Sequence, residues 1–351
     1  MDQGNIGEMI TDTARRVLGD YAAASARAKD AWNPALWKDL EEAGLTAAWE
    51  HGSGGPLGSP VEAAFAIMRV AAEHAVCAPL AETMLANYLA QSCGLEAPNG
   101  PMSVAPVRRT DALSLERVGS GWRLRGAVGR VPWGEQVGYL AIHAALDGED
   151  YLAIAPGRAV KGASETNIAG EPRANLEIDA ELPATSVAIW RSKVGLRHLG
   201  ALVRATQIAG AMEATLALTI EYASTRVQFG RQLRKFQVIQ HYLATMASQS
   251  AAARVSVDVA VRALGRPQCE SAIAAAKIRA GEAVRDVARL AHQIHGAIGF
   301  TQDYRLQSLT RRLWSWRDEF GTEAEWAHDL GSQVCRSGAD KTWALLTEQM
   351  A

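Results

Sequence analysis

From about residue 195 the apolar residues return every three to four positions and hold that spacing through three successive segments. Ala205, Ile208, Met212, Leu216, Thr219 and Ala223 form one stripe. Phe236, Ile239, Leu243, Met246, Ser250 and Val257 form a second, and Ile273, Ala280, Val284, Val287, Leu290 and Ile294 a third. A helix with one apolar stripe must bury it against another element, and small residues along all three permit close approach. A four-helix bundle core accounts for the stripes, with Gly265-Arg266-Pro267 breaking the second from the third.

The earlier part of the chain has two other textures. Residues 1–101 read as an N-terminal helical domain, with Ala-rich periodicity at Pro60 to His74 and Pro79 to Gln91, and with HGSGGPLGSP (51–60) as a helix-breaking linker. Residues 102–188 read as strands. Two alternating runs flank Gly119-Ser120-Gly121, two more flank Asp147-Gly148, and NLEID follows. Hairpins at this spacing predict a small antiparallel β-barrel or sandwich. The fold class is therefore mainly α with a central β domain, the bundle occupying 189–351.

Composition narrows the class. At 351 residues the chain is long enough for two or three domains, and 48% hydrophobic with 21% charged residues is globular rather than disordered. Lys plus Arg (36) nearly cancels Asp plus Glu (38), so no strong field recruits nucleic acid or an anionic membrane. The longest uncharged run, Phe236 to Ala253, is interrupted by Gln237, Gln240, His241 and Gln249, which argues against a membrane span. The opening MDQGNIGEMITDTARR is polar and acidic, unlike a secretion signal. Cys77, Cys93, Cys269 and Cys335 are scattered, which fits reduced thiols and a cytoplasmic location.

No nucleophile elbow, phosphate-binding P-loop, dinucleotide glycine fingerprint or metal-ligand spacing is present. His292 and His295 lack a third ligand in the pattern, so ordinary helix-end roles suit them better than metal. Two segments stand out. In 222–247 a helix arrives at Arg226, breaks near Gly230 and resumes around Phe236. Four cations (Arg226, Arg231, Arg234, Lys235) gather there, with Gln228, Gln237 and Gln240 among them. Cations and amides at a helix junction suit a diphosphate with a heteroaromatic ring, although a solvated basic face has the same spacing. In 292–326, Gly296, Gly299 and Gly321 allow close backbone approach. Trp314 and Trp316 suit an interface or core. Asp318-Glu319 beside Gly321-Thr322 offers a general base or merely a solvated helix end.

The order helical, β, helical, with R-x-Q-F-G-x-x-L-x-x-F-Q-x-x-Q-H at 226–241 and Q-x-H-G-A-x-G-F at 293–300, resembles the acyl-CoA dehydrogenase family over nearly the whole chain. The resemblance implies an FAD flavoprotein of lipid metabolism that desaturates acyl-CoA thioesters at the α,β bond and passes electrons to an electron-transfer flavoprotein. It also implies a dimer of dimers in which each FAD spans two subunits. Carried over by position, Arg226, Gln228 and Phe229 would meet the diphosphate and adenosine, with Phe236 and Gln237 adjoining. Gln293, Gly296 and Ala297 would reach the neighbouring subunit's FAD, and Thr322 would lie near the diphosphate.

The chemistry needs a base for the α-proton. The family's usual glutamate, directly before the late Gly-Thr, falls at Phe320, and its alternative seat falls at Gly200. The arginine that follows the second seat is Ala201, with Arg204 one turn further on. In the β domain the flavin segments become Val104-Ala105-Pro106-Val107 and Arg130-Val131-Pro132, and proline offers neither hydroxyl nor N–H. Three readings stay open. The chain is one subunit of a hetero-oligomeric dehydrogenase whose sister supplies the base. It is a homomeric enzyme with a relocated base, Glu319 first and Asp318 second, which requires the helix end to be re-registered because one residue turns a side chain by about 100°. Or it is a non-catalytic acyl-CoA dehydrogenase-like scaffold.

Overall fold

The structure, a computed structural model, describes residues 3–24, 32–49, 61–338 and 340. The linker HGSGGPLGSP lies outside the described residues. The chain divides into two compact units, one of residues 1–67 and 77–200, the other of 68–76 and 201–351.

The first unit carries helices α1 (Gln3–Ala24), α2 (Pro34–Glu42), the start of α3 (Val61–Glu73) and α4 (Leu80–Ser92). Asn33 caps α2, its side chain accepting from Ala35 N, and Pro34 follows where its missing N–H costs nothing. Eight strands follow: β1 (Met102–Ala105), β2 (Ala112–Val118), β3 (Gly121–Pro132), β4 (Tyr139–Leu146), β5 (Glu149–Pro156), β6 (Val160–Thr166), β7 (Pro172–Leu182) and β8 (Val187–Ile189). They form one sheet in the order β6-β7-β3-β2-β4-β5-β8, with β1 beside β4. Asp147 and Gly148 both have positive φ (52° and 84°), the left-handed pair a two-residue hairpin needs between β4 and β5. In β7 the period of two is clean. Ala174, Leu176, Ile178, Ala180 and Leu182 enter the core, while Glu177, Asp179 and Glu181 face out.

The sheet is mixed rather than wholly antiparallel. β1 runs parallel to β4 over four pairs, and β2 meets β4 in parallel at Ser114–Ala145. Tight turns dictate antiparallel pairing only between strands they join. β1 and β4 are separated by the β2–β3 hairpin, and the chain returns in its original direction.

The second unit contains the end of α3, then α5 (Leu196–Thr225), which enters from the first unit. A hairpin β9 (Val227–Gln228) and β10 (Arg231–Gln232) follows, then α6 (Gln237–Arg262), α7 (Cys269–His295), α8 (Leu306–Asp318) and α9 (Glu323–Ser337). The third stripe is buried throughout, as α7 lies against α6, α8 and α9. The second is buried from Met246 onward and only partly covered before it. The stripe on α5 can include Thr219 because its hydroxyl bonds inside the helix, to Thr215 O at 2.6 Å, as the buried Thr215 beside the stripe does to Ala211 O at 2.7 Å. Trp316 is buried, and Trp314 is partly covered, with Arg317 over its ring at 5.4 Å.

Candidate functional site

The α5–α6 junction is built by local rules. Arg226 N still donates to Tyr222 O, completing the last turn of α5. The chain then reverses through Phe229 (φ 52°) and Gly230 (φ 80°), and Arg231 pairs with Gln228 and Gln232 with Val227. Glycine adopts this conformation freely, whereas phenylalanine there costs about 1–3 kcal/mol. Arg231 lies over the Phe236 ring at 4.0 Å, Arg234 donates to Gln232 Oε1 at 3.0 Å, and Gln240 Nε2 donates to Arg234 O at 3.1 Å. Those contacts stiffen the elbow and leave its outer face open. Phe229 is 90% exposed. Gln228 and Gln237 are also exposed, as is Arg226, whose guanidinium has no ion pair among the described residues. No carboxylate occurs between Glu221 and Asp258, so nothing local neutralises the four cations.

The second motif comes to the same end of the unit. The Tyr222 ring stacks on His295 at 4.4 Å, and its hydroxyl reaches His295 O at 3.4 Å. Tyr222 is one turn before Arg226 and His295 is next to Gly296, so the elbow and the end of α7 share one support. Gly296 (φ 63°) terminates α7, and Gln293, Gly296 and Ala297 are exposed.

The α8–α9 junction is closed. α8 stops at Asp318, and Glu319 leaves it in an extended conformation (φ −81°, ψ 143°). Its Oε2 lies 2.7 Å from Arg204 Nε, the two side chains being 3% and 1% exposed. Arg204 also donates to Gln207 Oε1 at 2.5 Å. The Phe320 side chain is buried at φ 55°, 5.8 Å from Arg204, and its carbonyl accepts from Trp326 Nε1 at 3.0 Å. From α7 the fully buried Lys277 donates to the α8 end carbonyls Trp316 O and Arg317 O, the first of which also accepts from the capping Glu319 N at 3.4 Å. Burial pushes the Lys277 ammonium down to about 7, against the opposing pull of Glu319, Glu323 and Asp318. Asp318 is exposed. Thr322 caps α9: its Oγ1 accepts from Glu325 N, and its own N–H donates to Glu325 Oε2 at 2.8 Å.

In the first unit the segment expected to meet a flavin bonds its backbone N–H groups to side chains of its own unit. β3 bulges between Val128 and Val131, and Arg130 has φ 60°. Gly129 N donates to Asp111 Oδ2 at 2.8 Å and Arg130 N to Asn175 Oδ1 at 3.0 Å, while Pro132 O accepts from the Ser103 hydroxyl.

Residues 195–324 match the family profile described as acyl-CoA dehydrogenase, C-terminal domain. That stretch of the chain is similar to the C-terminal domain of acyl-CoA dehydrogenases. It is 30% identical over 215 residues to 3-sulfinopropanoyl-CoA desulfinase of Paraburkholderia xenovorans, a match covering 56% of this chain and 55% of that one. Thus the match spans only about half of that relative. The fold extends further than the sequence match. The ChsE4-ChsE5 complex from Mycobacterium tuberculosis superposes with a TM-score of 0.84 at 20% identity, covering 97% of this chain and 100% of that one. Butyryl-CoA dehydrogenase from Megasphaera elsdenii gives 0.83 at 22% identity, covering 94% and 98%.

Sequence reasoning missed Lys277 and the Arg204–Glu319 pair. Its one available signal was Lys277 itself, a cation four residues after Ile273 and three before Ala280 on the apolar stripe. Arg204 and Glu319 are 115 positions apart and become partners only through packing.

Proposed function

We propose that the chain is one subunit of a hetero-oligomeric, FAD-dependent acyl-CoA dehydrogenase, with the base for the α-proton supplied by a sister chain. The observation that carries this reading is the enclosure of Glu319 by Arg204. The carboxylate nearest the usual seat is ion-paired out of water, held by Arg204 rather than open to a substrate. Phe320, in the seat itself, has no proton-accepting group. Asp318 is exposed at the end of α8, outside that enclosed pair.

The second unit fits one end of FAD and the first unit fits the other end poorly. Arg226 is free to fork-bond a diphosphate, and Gln228, Phe229, Phe236 and Gln237 surround it with amide and aromatic groups. Gln293, Gly296 and Ala297 offer an amide and close backbone approach to the FAD of a neighbouring subunit. Thr322 could add its hydroxyl only by sharing it with Glu325. The bulge at 129–132 has spent the backbone N–H groups of Gly129 and Arg130 within its own unit, which supports a sister chain holding the isoalloxazine. When bound, FAD accepts the β-hydride of the acyl-CoA and yields the electrons to an electron-transfer flavoprotein. The ChsE4-ChsE5 complex, with the same fold, is itself a complex of two named chains, which supports a paired arrangement here.

Purification with and without a sister chain encoded nearby tests the reading. The chain alone should be colourless and inert with acyl-CoA and a dye acceptor, and the pair should be yellow and active. Yellow, active protein from this chain alone, with turnover abolished by Glu319→Gln, would instead favour the homomeric enzyme with a relocated base. A pair lacking both flavin and turnover would favour the scaffold.

A further inference from the structure

Beneath the Gly296–Phe300 turn, two imidazoles each keep one bare nitrogen out of water. His295 Nδ1 lies 2.8 Å from Ala291 O. A carbonyl only accepts, so Nδ1 carries the proton and Nε2 is bare, buried and without a partner. Tyr222 stacks on this ring and Tyr304 tilts against it at 5.2 Å. His292 Nε2 lies 2.8 Å from Thr310 Oγ1, and that hydroxyl gives its single proton to Leu306 O at 3.2 Å. His292 Nε2–H therefore donates to Thr310, leaving Nδ1 as the second bare, buried nitrogen. It faces Gly299, where a Cβ would stand 3.1 Å away, and Phe300 stacks on the ring at 4.2 Å.

A proton on either ring would create a buried N–H with no acceptor, as well as a charge without water. Aromatic faces attract a cation, but the Tyr222 hydroxyl is directed to His295 O and makes no hydrogen bond with Nε2. Around the pair stand Tyr222 on α5, Tyr304 on the loop after the turn and Thr310 on α8, with Glu221 acting on Tyr304. None of them bonds either bare nitrogen. Burial holds both imidazoles below the ordinary histidine value, and for His292 the neighbouring His295 adds to it.

We propose that His292 and His295 are positioning residues that hold the Gly296–Phe300 turn only while both rings are neutral, so that acid releases the turn. The turn's use in cofactor contact rests on the reading above; the proton lock does not. Neutral rings stabilise the closed turn above the free histidine value of about 6.5, and that stability disappears as pH falls through the depressed values.

Hydrogen exchange on the full chain, corrected for intrinsic rates, tests this between pH 7.5 and 5. Opening of 296–300 should rise about tenfold per pH unit once the first ring titrates, while 273–290 of α7 stays protected. The double variant His292→Gln, His295→Gln should lose the pH step. Should that variant not fold, ¹⁵N imidazole spectra of the unmodified chain must show both rings neutral at pH 6.5. Protection of 296–300 that ignores pH, or a ring that charges at the free value with the turn closed, overturns the proposal. Acid opening in a chain that never binds flavin would uphold the lock and sink the cofactor reading. Flat protection beside normal flavin binding would do the reverse.

Discussion

Arg204, Glu319 and Lys277 place two cations and one anion in the same dry region, and the consequences are measurable residue by residue. Glu319→Gln strands the Arg204 guanidinium, and breaking a buried pair costs about 3–5 kcal/mol. Urea denaturation should report that loss, while turnover of the assembled enzyme per folded subunit stays nearly unchanged. Lys277 provides a second check. Its folded pKa near 7 lies below the unfolded value of about 10.4. Between them the unfolded chain binds the extra proton, so stability rises with pH across that window, by up to about 1.4 kcal/mol per unit. Denaturation midpoints at pH 7, 8 and 9 should climb more steeply for the native chain than for Lys277→Met. Equal slopes would mean that the ammonium is not desolvated as described.

At the scale of elements, the α5–α6 elbow was the most legible part of the chain. Arg226, Gly230 and Phe236 announce the end, the turn and the restart, because caps and left-handed turns are local events. The hairpin was less legible, since a phenylalanine at positive φ contradicts its own preference. The elbow's stiffness comes from its own contacts, Arg231 on Phe236 and Gln240 on Arg234, and Arg226 takes no part in them. Arg226→Ala should therefore lower flavin occupancy of the assembly severalfold and leave the far-ultraviolet circular dichroism unchanged. Unchanged flavin content would remove the diphosphate assignment. The mixed sheet was not legible, because β1 and β4 pair across an intervening hairpin and periodicity carries no register.

For the whole molecule, the two departures from the family pattern lie in different units, and restoring one should not rescue the other. Phe320→Glu puts a carboxylate back in the usual seat, but within reach of the Arg204 guanidinium, which would hold it ionised and weakly basic. The bulge at 129–132 would still lack donors. The isolated variant should remain inert with acyl-CoA and a dye acceptor; turnover at more than trace rate would mean the base alone was missing. The helical, β, helical order and the two C-terminal motifs followed from the sequence by itself, because period, caps and turns are written within a few neighbouring residues. Only the tertiary structure decided that Glu319 is locked to Arg204, that Lys277 closes the end of α8, and that Tyr222 joins the elbow to His295. Such pairings depend on which distant side chains share a water-free space, and a sequence read along its length carries no record of that distance.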